Sequence, residues 1–264
     1  MNAQGETFGH FYLHFSPLLA TINFYISMAS SPMQQLYDYL YQEYGPQGWW
    51  PLYWSVGGGV SQEPYHEEDY SFPQTDRQRL EISIGAILTQ NTAWKNVVKA
   101  LTSLQEARLC SVAGIREATL ADLAKAIRPA GYFNQKADYL KNWVLFLAEH
   151  PFAELSKMPM SEVRKLVLTV KGVGPETADC ILLYALGHPT FVIDAYTKRF
   201  LIQLGFCDQK SSYEQIRSLF MNALPPNLEK YQEYHALFVK HGKNYYSKKP
   251  YALGDPFLSS GLNI

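Results

Sequence analysis

The sequence has few cysteines and an uneven distribution of basic residues. Its 264 residues include three cysteines, and their wide separation, at Cys110, Cys180 and Cys207, matches no zinc-binding or disulfide spacing. They are expected to be buried thiols in a reducing compartment. No lysine or arginine precedes Arg77, so the N-terminal region lacks the basic start of a secretory signal peptide.

The chain also lacks a hydrophobic run suited to crossing a membrane. Residues 8–28 are moderately apolar, but polar side chains such as His10, His14 and Asn23 interrupt the segment. We therefore expect no membrane contact. Residues 1–32 are predicted to be a poorly ordered leader, which fits a functional start at Met28 or Met33.

A general excess of positive charge is absent as well. The 23 lysines and arginines are balanced by 24 acidic residues, for a formal net charge of −1. A nucleic-acid partner would then be bound through local lysines and backbone amides rather than through a bulk field. Aromatic residues are abundant, with 19 Tyr and 14 Phe, which suits a packed helical core and also stacking on bases.

Apolar residues recur at helical spacing through most of the chain, and no stretch shows sustained β alternation. This pattern predicts an all-α fold with an irregular, aromatic-rich segment over residues 47–72. We expect Asn91 or Thr92 to cap the helix that starts at Trp94, and Ser161 to cap the helix that ends at Val170. The predicted helices cover residues 33–43, 79–90, 94–104, 119–127, 132–149, 161–170, 195–204, 212–224 and 229–246.

A tight turn, Lys171-Gly172-Val173-Gly174-Pro175, separates two of the helical segments. Two glycines around one residue let an anion approach the backbone N–H groups closely, and a helix begins at the proline. The turn therefore predicts a phosphate-binding site. After a Gly-Pro break at residues 187–189, Asp194 lies among apolar residues, where it can cap the next helix, carry chemistry, or do both.

These features together resemble the helix-hairpin-helix and Gly/Pro-Asp signature of the endonuclease III superfamily of DNA glycosylases. Residues 88–92 resemble the loop whose glutamine, Gln90 here, fills the gap left by a flipped nucleotide, with Asn91 beside it. Residues 130–137 resemble the wedge loop, with Tyr132 at the wedge position. The hairpin and Asp motif match at Leu168, Gly172, Val173, Gly174, Thr177, Ala178, Val192, Ile193, Asp194 and Arg199.

The resemblance covers about residues 78–250, and it implies both a fold and a reaction. The fold would be two helical lobes with a cleft between them, and the partner would be double-stranded DNA with a damaged base. We predict one lobe at residues 80–193, carrying the hairpin, and a discontinuous second lobe at 33–79 plus 194–264. Asp194 would act at the sugar C1′, while residues 171–174 and Thr177 would contact the DNA backbone.

Two departures from the family pattern narrow the expected chemistry. Bifunctional members have, at the position of Glu176, a lysine that forms a Schiff base, and a glutamate cannot form one. The resemblance therefore implies base hydrolysis without a lyase step. Members with an iron–sulfur cluster place four cysteines after the segment matched by His241-Gly242-Lys243, whereas residues 245–251 contain none. No such cluster and no other metal site is expected; a monovalent cation at the hairpin is left open.

A cluster-free, monofunctional member is similar to the bacterial 3-methyladenine DNA glycosylase III type. Those enzymes have a Trp-Trp pair in an aromatic N-terminal segment, matched by Trp49 and Trp50, and the second stacking residue would be Tyr70 or Phe72. Aromatic faces attract a cationic base, and an ionised Glu176 would add to that attraction. The same type carries a carbamylated C-terminal lysine, for which the candidates are Lys243, Lys248 and Lys249.

Other interpretations stay open at this point. The enzyme could act on oxidised or mismatched bases, could retain lyase activity through another amine, or could be a non-catalytic damage-binding module. The residues also have structural explanations: Trp49 and Trp50 as core, Gln90 in a surface turn, Glu176 as a solvated first-turn residue, and residues 240–249 as a solvated face. The protein is expected to be a monomer, in the cytoplasm with the nucleoid or in a eukaryotic nucleus.

Overall fold

The computed structural model describes residues 30–54 and 61–260, so most of the predicted leader lies outside the described residues. Within these two ranges the fold is all-α as predicted, with no β-strand apart from a single bridge residue at Trp54. The helices are α1 (Pro32–Tyr44), α2 (Asp76–Leu88), α3 (Trp94–Glu106), α4 (Val112–Glu117), α5 (Leu120–Ala126), α6 (Phe133–Glu149), α7 (Phe152–Leu155), α8 (Met160–Val167), α9 (Pro175–Cys180), α10 (Ala195–Gln203), α11 (Tyr213–Ala223), α12 (Leu228–Tyr245) and α13 (Pro256–Ser259). A 3₁₀ turn covers Arg128–Ala130, and a π-helical turn at Ile181–Ala185 continues α9.

The helix starts follow the local capping chemistry where a polar side chain stands in the right place. Thr75 and Gln78 form a reciprocal capping box, and α2 therefore begins three residues before the predicted start at Arg79. At the start of α5 the Thr119 side chain accepts a hydrogen bond from the Asp122 N–H at 3.1 Å, so Thr119 caps this helix. Such caps satisfy backbone donors that have no partner within the helix.

Two predicted caps are wrong. Helix α3 follows Ala93 without a side-chain cap, because the Thr92 hydroxyl accepts a hydrogen bond from the Lys136 ammonium at 2.7 Å and donates to the Ala130 carbonyl at 2.5 Å. Helix α8 follows Pro159, and Ser161 lies inside its first turn. Helices α4 and α7 were not predicted from the sequence, because six and four residues are too few to show a 3.6-residue period.

The helices pack as two groups, one around α2 and the other around α12. In the first group α3 and α6 pack against α2, and α4 and α5 pack against α6. In the second group α1 and α10 pack against α12, and α11 packs against α1. The π-helical turn contacts both α2 and α12. The predicted lobe boundary between residues 79 and 80 falls inside α2, since that helix starts at Asp76. No helix in the described part of the chain has the length and apolar character needed to span a bilayer.

The segment that leads into α2 is anchored on the middle of the chain. The Trp54 indole N–H donates to the Leu101 carbonyl at 2.9 Å, and the buried Glu81 carboxylate accepts from the backbone N–H groups of Tyr53 and Trp54. Burial raises the pKa of Glu81 from 4.5 to about 7, although the backbone hydrogen bonds oppose the shift. These contacts hold the chain just after the Trp49-Trp50 pair.

Candidate active site

A cleft of about 890 Å³ lies where the hairpin, α2, α10 and α12 meet. Its size falls in the range of cavities that enclose small ligands. The structure brings most of the predicted site residues to this cleft, although they come from four separate parts of the chain. Those that line it are Trp49, Trp50, Gln90, Asn91, Gly172, Val173, Gly174, Glu176, Thr177 and Asp194.

The hairpin turn between α8 and α9 forms one wall of the cleft. Gly172 has a left-handed φ of 101°, and a Cβ there would lie 2.2 Å from Cγ of Tyr139 on α6, so only glycine fits. The Gln90 side-chain amide donates to the Gly172 carbonyl at 2.9 Å and to the Thr177 hydroxyl at 3.0 Å. Gly174 instead faces open space, which leaves the start of α9 accessible from the cleft.

Asp194 stands at the edge of the cleft as the N-cap of α10. Its Oδ1 accepts a hydrogen bond from the Thr197 N–H at 2.7 Å, while the preceding residues Val192 and Ile193 are buried. The Ile193 N–H donates to the Tyr213 hydroxyl at 3.4 Å. Capping and packing on both sides thus hold the carboxylate in one place, and the capping role and a chemical role are compatible.

Glu176 is the second carboxylate of the cleft, in the first turn of α9. Its side chain is exposed to the cleft, but the surrounding walls exclude much of the bulk water. This desolvation, followed by the negative charge of Asp194, raises the pKa of Glu176 from 4.5 to about 7. Near neutral pH the residue therefore exchanges between an ionised and a protonated form.

An aromatic cluster forms the wall opposite the hairpin. The Trp49 and Trp50 rings meet edge to face at 5.8 Å, and Trp50 packs in the same way on Trp94 at 5.3 Å. Trp49 also contacts the His235 ring at 5.8 Å, where burial lowers the pKa of the imidazole. The Lys243 ammonium lies 5.8 Å from the Trp49 ring centroid, a distance at which a cation is attracted to an indole.

Tyr70 and Phe72 do not line this cleft, so the expectation that one of them forms its second aromatic face is not met. The Tyr70 hydroxyl donates to the buried Glu233 carboxylate at 3.1 Å, and the Phe72 ring packs on His66 at 4.7 Å. Glu233 also accepts from the Gln47 N–H at 2.7 Å. A buried carboxylate needs such donors, which explains why Tyr70 is drawn away from the cleft.

Two predicted DNA contacts lie outside the cleft. Tyr132 is 70% exposed and left-handed, with a φ of 46° at the start of α6, so its ring projects into solvent. Lys171 is exposed beside the hairpin turn. Among the predicted lysine candidates for modification, Lys243 lines the cleft, whereas Lys248 and Lys249 do not.

Several residues of the cleft were not singled out from the sequence. Trp94 follows the predicted site residue Asn91 by three positions, and Tyr196 follows Asp194 by two, so closeness along the chain could have indicated both. Tyr213 and His235 come from α11 and α12, and no sequence spacing connects them with the motif. The three cysteines are free, and across residues 30–54 and 61–260 no group of three or more His, Cys, Asp or Glu side chains is arranged to hold a metal ion.

The chain has clear relatives of known type. Residues 84–226 match the model of the HhH-GPD superfamily base excision DNA repair proteins. A putative DNA repair glycosylase of Methanocaldococcus jannaschii is 39% identical over 220 residues, which is 81% of this chain and 89% of that protein. An endonuclease III of Sulfolobus acidocaldarius is 29% identical over 63% of this chain and 74% of that protein.

Solved structures agree with this grouping. A 3-methyladenine DNA glycosylase of H. pylori, bound to 1,N6-ethenoadenine, superimposes with a TM-score of 0.54 at 26% identity, over 64% of this chain and 89% of that one. A non-covalent endonuclease III–DNA complex gives a TM-score of 0.56 at 21% identity, over 69% and 81%. The chain therefore belongs to the HhH-GPD superfamily of base excision DNA repair proteins and is a DNA glycosylase, a hydrolase of N-glycosyl bonds.

Proposed function

We propose that this glycosylase releases alkylated purines of the 3-methyladenine type from duplex DNA and leaves an intact abasic site. The observation that carries the proposal is the composition of the cleft, where three indoles (Trp49, Trp50 and Trp94) and two carboxylates surround one cavity. Purines alkylated at N3 or N7 carry positive charge, and aromatic faces and carboxylates both attract cations. A base must leave the stack to reach such a cavity.

The proposed reaction needs little help for the leaving group. The C1′–N bond of a cationic purine breaks with its electron pair going to the base, which departs neutral, and positive charge develops on the sugar. The Asp194 carboxylate stabilises that charge. Water then adds to C1′, and its proton passes to Asp194. The hydrogen bond from Thr197 keeps the carboxylate in position during both steps.

Glu176 accounts for the proposed absence of a lyase step. A lyase needs an amine that adds to C1′, and the carboxylate at this position provides none. When it is ionised, Glu176 instead adds negative charge next to the base and so favours a cationic ligand. The H. pylori relative is named for 3-methyladenine, which supports the same lesion class. Relatives named endonuclease III share the scaffold, so the lesion class rests mainly on the cleft.

The duplex would be held by the parts of the molecule that surround the cleft. We assign the phosphate contact to the accessible turn at Gly172–Gly174, with Lys171 beside it. Gln90 and the exposed Tyr132 ring would support the opened duplex around the flipped nucleotide. We propose that one copy of the chain suffices for this, and that it acts where the chromosome is, in the nucleoid or nucleus.

A second candidate function is a glycosylase with lyase activity through Lys243. This lysine lines the same cleft, and burial, followed by the nearby Lys240, lowers the pKa of its amine despite the opposing charge of Asp194. A lower pKa increases the fraction of neutral, nucleophilic amine. Borohydride trapping of a covalent protein–DNA adduct separates the two candidates, because only the lyase forms a reducible Schiff base.

The decisive experiment is mass spectrometry of the bases released from methylated DNA. Our proposal expects free 3-methyladenine in the supernatant and an unbroken strand that is cleaved only on alkaline treatment. Asp194→Asn should release far less of it while still binding the same DNA. Release of oxidised pyrimidines or of 8-oxoguanine alone would contradict the assignment, as would a borohydride-trapped adduct.

A further inference from the structure

Lys136, on the first turns of α6, is almost fully buried, with 2% of its surface exposed. Its ammonium donates to the carbonyls of Leu88, Gln90 and Ala130 at 2.7, 2.9 and 3.0 Å, and to the Thr92 hydroxyl at 2.7 Å. All four acceptors are neutral oxygens. An ammonium has three hydrogens, so the four oxygens form a closed cage that uses its full donor capacity.

The oxygens of this cage surround an amine that is mostly charged at neutral pH. Burial lowers the pKa of Lys136 from 10.5 to about 8, which leaves the amine mostly protonated at neutral pH. Charge-assisted hydrogen bonds are stronger than neutral ones, and they offset the cost of burying the ammonium. Removing the amine would leave several buried carbonyls without this donor.

The caged oxygens belong to two surface loops that are far apart in sequence. We call residues 88–92 the Gln90 loop and residues 130–132 the Tyr132 loop. The Thr92 hydroxyl also donates to the Ala130 carbonyl, and the Gln90 side chain donates to the hairpin at Gly172. Lys136 therefore lies where the two loops meet.

The backbone of both loops supports a positioning role. Asn91 and Tyr132 have left-handed φ values of 51° and 46°, a region that non-glycine residues rarely occupy. Such conformations persist where surrounding contacts over-determine them. Lys136 supplies such contacts on both sides, since it binds the carbonyl that precedes Asn91 and the carbonyl two residues before Tyr132.

We propose that Lys136 is a positioning residue that couples the Gln90 loop to the Tyr132 loop, so that both side chains enter the duplex as one unit. This inference rests on the proposed use of Gln90 and Tyr132 in supporting the opened duplex. Without the ammonium the two loops would move independently, and each side chain would find its place in the DNA separately.

The test is a double-mutant cycle of Gln90→Ala and Tyr132→Ala, measured as Kd for a duplex with a tetrahydrofuran abasic-site analogue. In the native chain we expect the two residues to be coupled. The Kd of the double variant should then be about 10-fold lower than the value obtained by multiplying the two single-variant increases in Kd. In the Lys136→Met background the two losses should multiply. Equal coupling in both backgrounds would overturn the inference, as would single variants that bind like the native chain.

Lys141→Met is the matched control. Lys141 lies on the same helix and likewise donates to backbone carbonyls, those of Arg116 and Ala118, but it does not line the cleft or touch either loop. It should leave the Gln90–Tyr132 coupling unchanged. If the control lost the coupling to the same extent, the effect of Lys136→Met would be explained by a general loss of stability, and the proposal would be overturned.

Two features keep the test conclusive. If Lys136→Met does not fold, Lys136→Gln offers a neutral donor that is too short to reach all four oxygens. This variant should lose the coupling, and full coupling in it would contradict the inference.

The abasic analogue carries no base, so binding to it is independent of the lesion class. Coupling without 3-methyladenine release would sink the proposed function and leave the present inference standing.

Discussion

The two carboxylates of the cleft, Asp194 and Glu176, have different surroundings. Asp194 is held in place at the start of α10, where its side chain accepts a hydrogen bond from the Thr197 N–H. The pKa of Glu176 is instead set first by desolvation and then by the negative charge of Asp194. At the residue scale, this contrast agrees with our proposal that Asp194 acts on the sugar and that Glu176 supplies a charge that changes with pH.

Asp194→Asn tests the first of these roles. Asparagine caps a helix about as well as aspartate, so α10 and the overall fold should be retained. We expect base release to fall by about 100-fold to 10,000-fold, the usual range for a lost acid–base group, while binding to the lesion duplex is retained. Single-turnover excision and fluorescence anisotropy measure the two effects; unchanged release would defeat the assignment.

The pH dependence of excision tests Glu176. Since its pKa is raised to about 7, the side chain is protonated below that pH and ionised above it. A cationic base should therefore be bound better as the pH rises from 6 to 8, through a falling KM. Glu176→Gln mimics the protonated form and should give a flat profile with the high KM; a native-like profile in this variant would exclude Glu176 as the cause.

At the scale of elements, the hairpin uses its two glycines for different purposes. Gly172 packs its backbone against Tyr139 with a left-handed φ, whereas Gly174 is extended and has no neighbour within 4 Å of an added Cβ. Gly172 is therefore needed for packing of the fold. Gly174 keeps the start of α9 accessible, because a side chain there would project over the place where we expect a phosphate.

Gly172→Ala and Gly174→Ala should separate these purposes. The first change forces a Cβ into the Tyr139 ring and should cost about 1–3 kcal/mol of the free energy of unfolding. The second should leave that free energy unchanged and weaken duplex binding. Urea denaturation and Kd measurements give the comparison. Native-like binding by folded Gly174→Ala would argue against a phosphate at this turn.

At the scale of the whole molecule, a buried ionic network joins the hairpin to the helices that follow Asp194. Asp179 on α9 is fully buried and accepts from Arg164 at 2.8 and 2.9 Å, from Thr190 at 2.9 Å and from Tyr213 at 2.9 Å. Tyr213 in turn accepts from the Ile193 N–H. The network thereby links α9, which follows the hairpin turn, to Ile193, the residue before the proposed catalytic carboxylate.

Asp179→Asn should reveal how much this network contributes to stability. Removing one partner of a buried ion pair costs about 3–5 kcal/mol, and we expect a loss of that size in the free energy of unfolding. Glu214→Gln is the control, because its side chain is 53% exposed although it bonds the same arginine, Arg164; exposed pairs contribute about 0–1 kcal/mol. Equal losses in the two variants would contradict the buried-network account.

The sequence by itself determined what depends on short stretches of chain. The glycine turn, Asp194 and the glutamate at position 176 all lie within one continuous segment, so the motif could be read locally, and the family it resembles is confirmed. The longer helices were predictable for the same reason, since the 3.6-residue period is local, whereas α4 and α7 are too short to show it. The caps at α3 and α8 were not, because Thr92 is taken up by a partner 38 residues away.

Only the tertiary structure decided which distant side chains share the cleft. Tyr70 was expected there and is instead bound by Glu233, a buried carboxylate on α12 that needs donors. Trp94 and His235 reach the cleft through helix packing, and Lys136 joins two loops from behind. Such contacts follow from how whole helices pack, where a rotation of one residue redirects a side chain by about 100°, so no local pattern in the sequence encodes them.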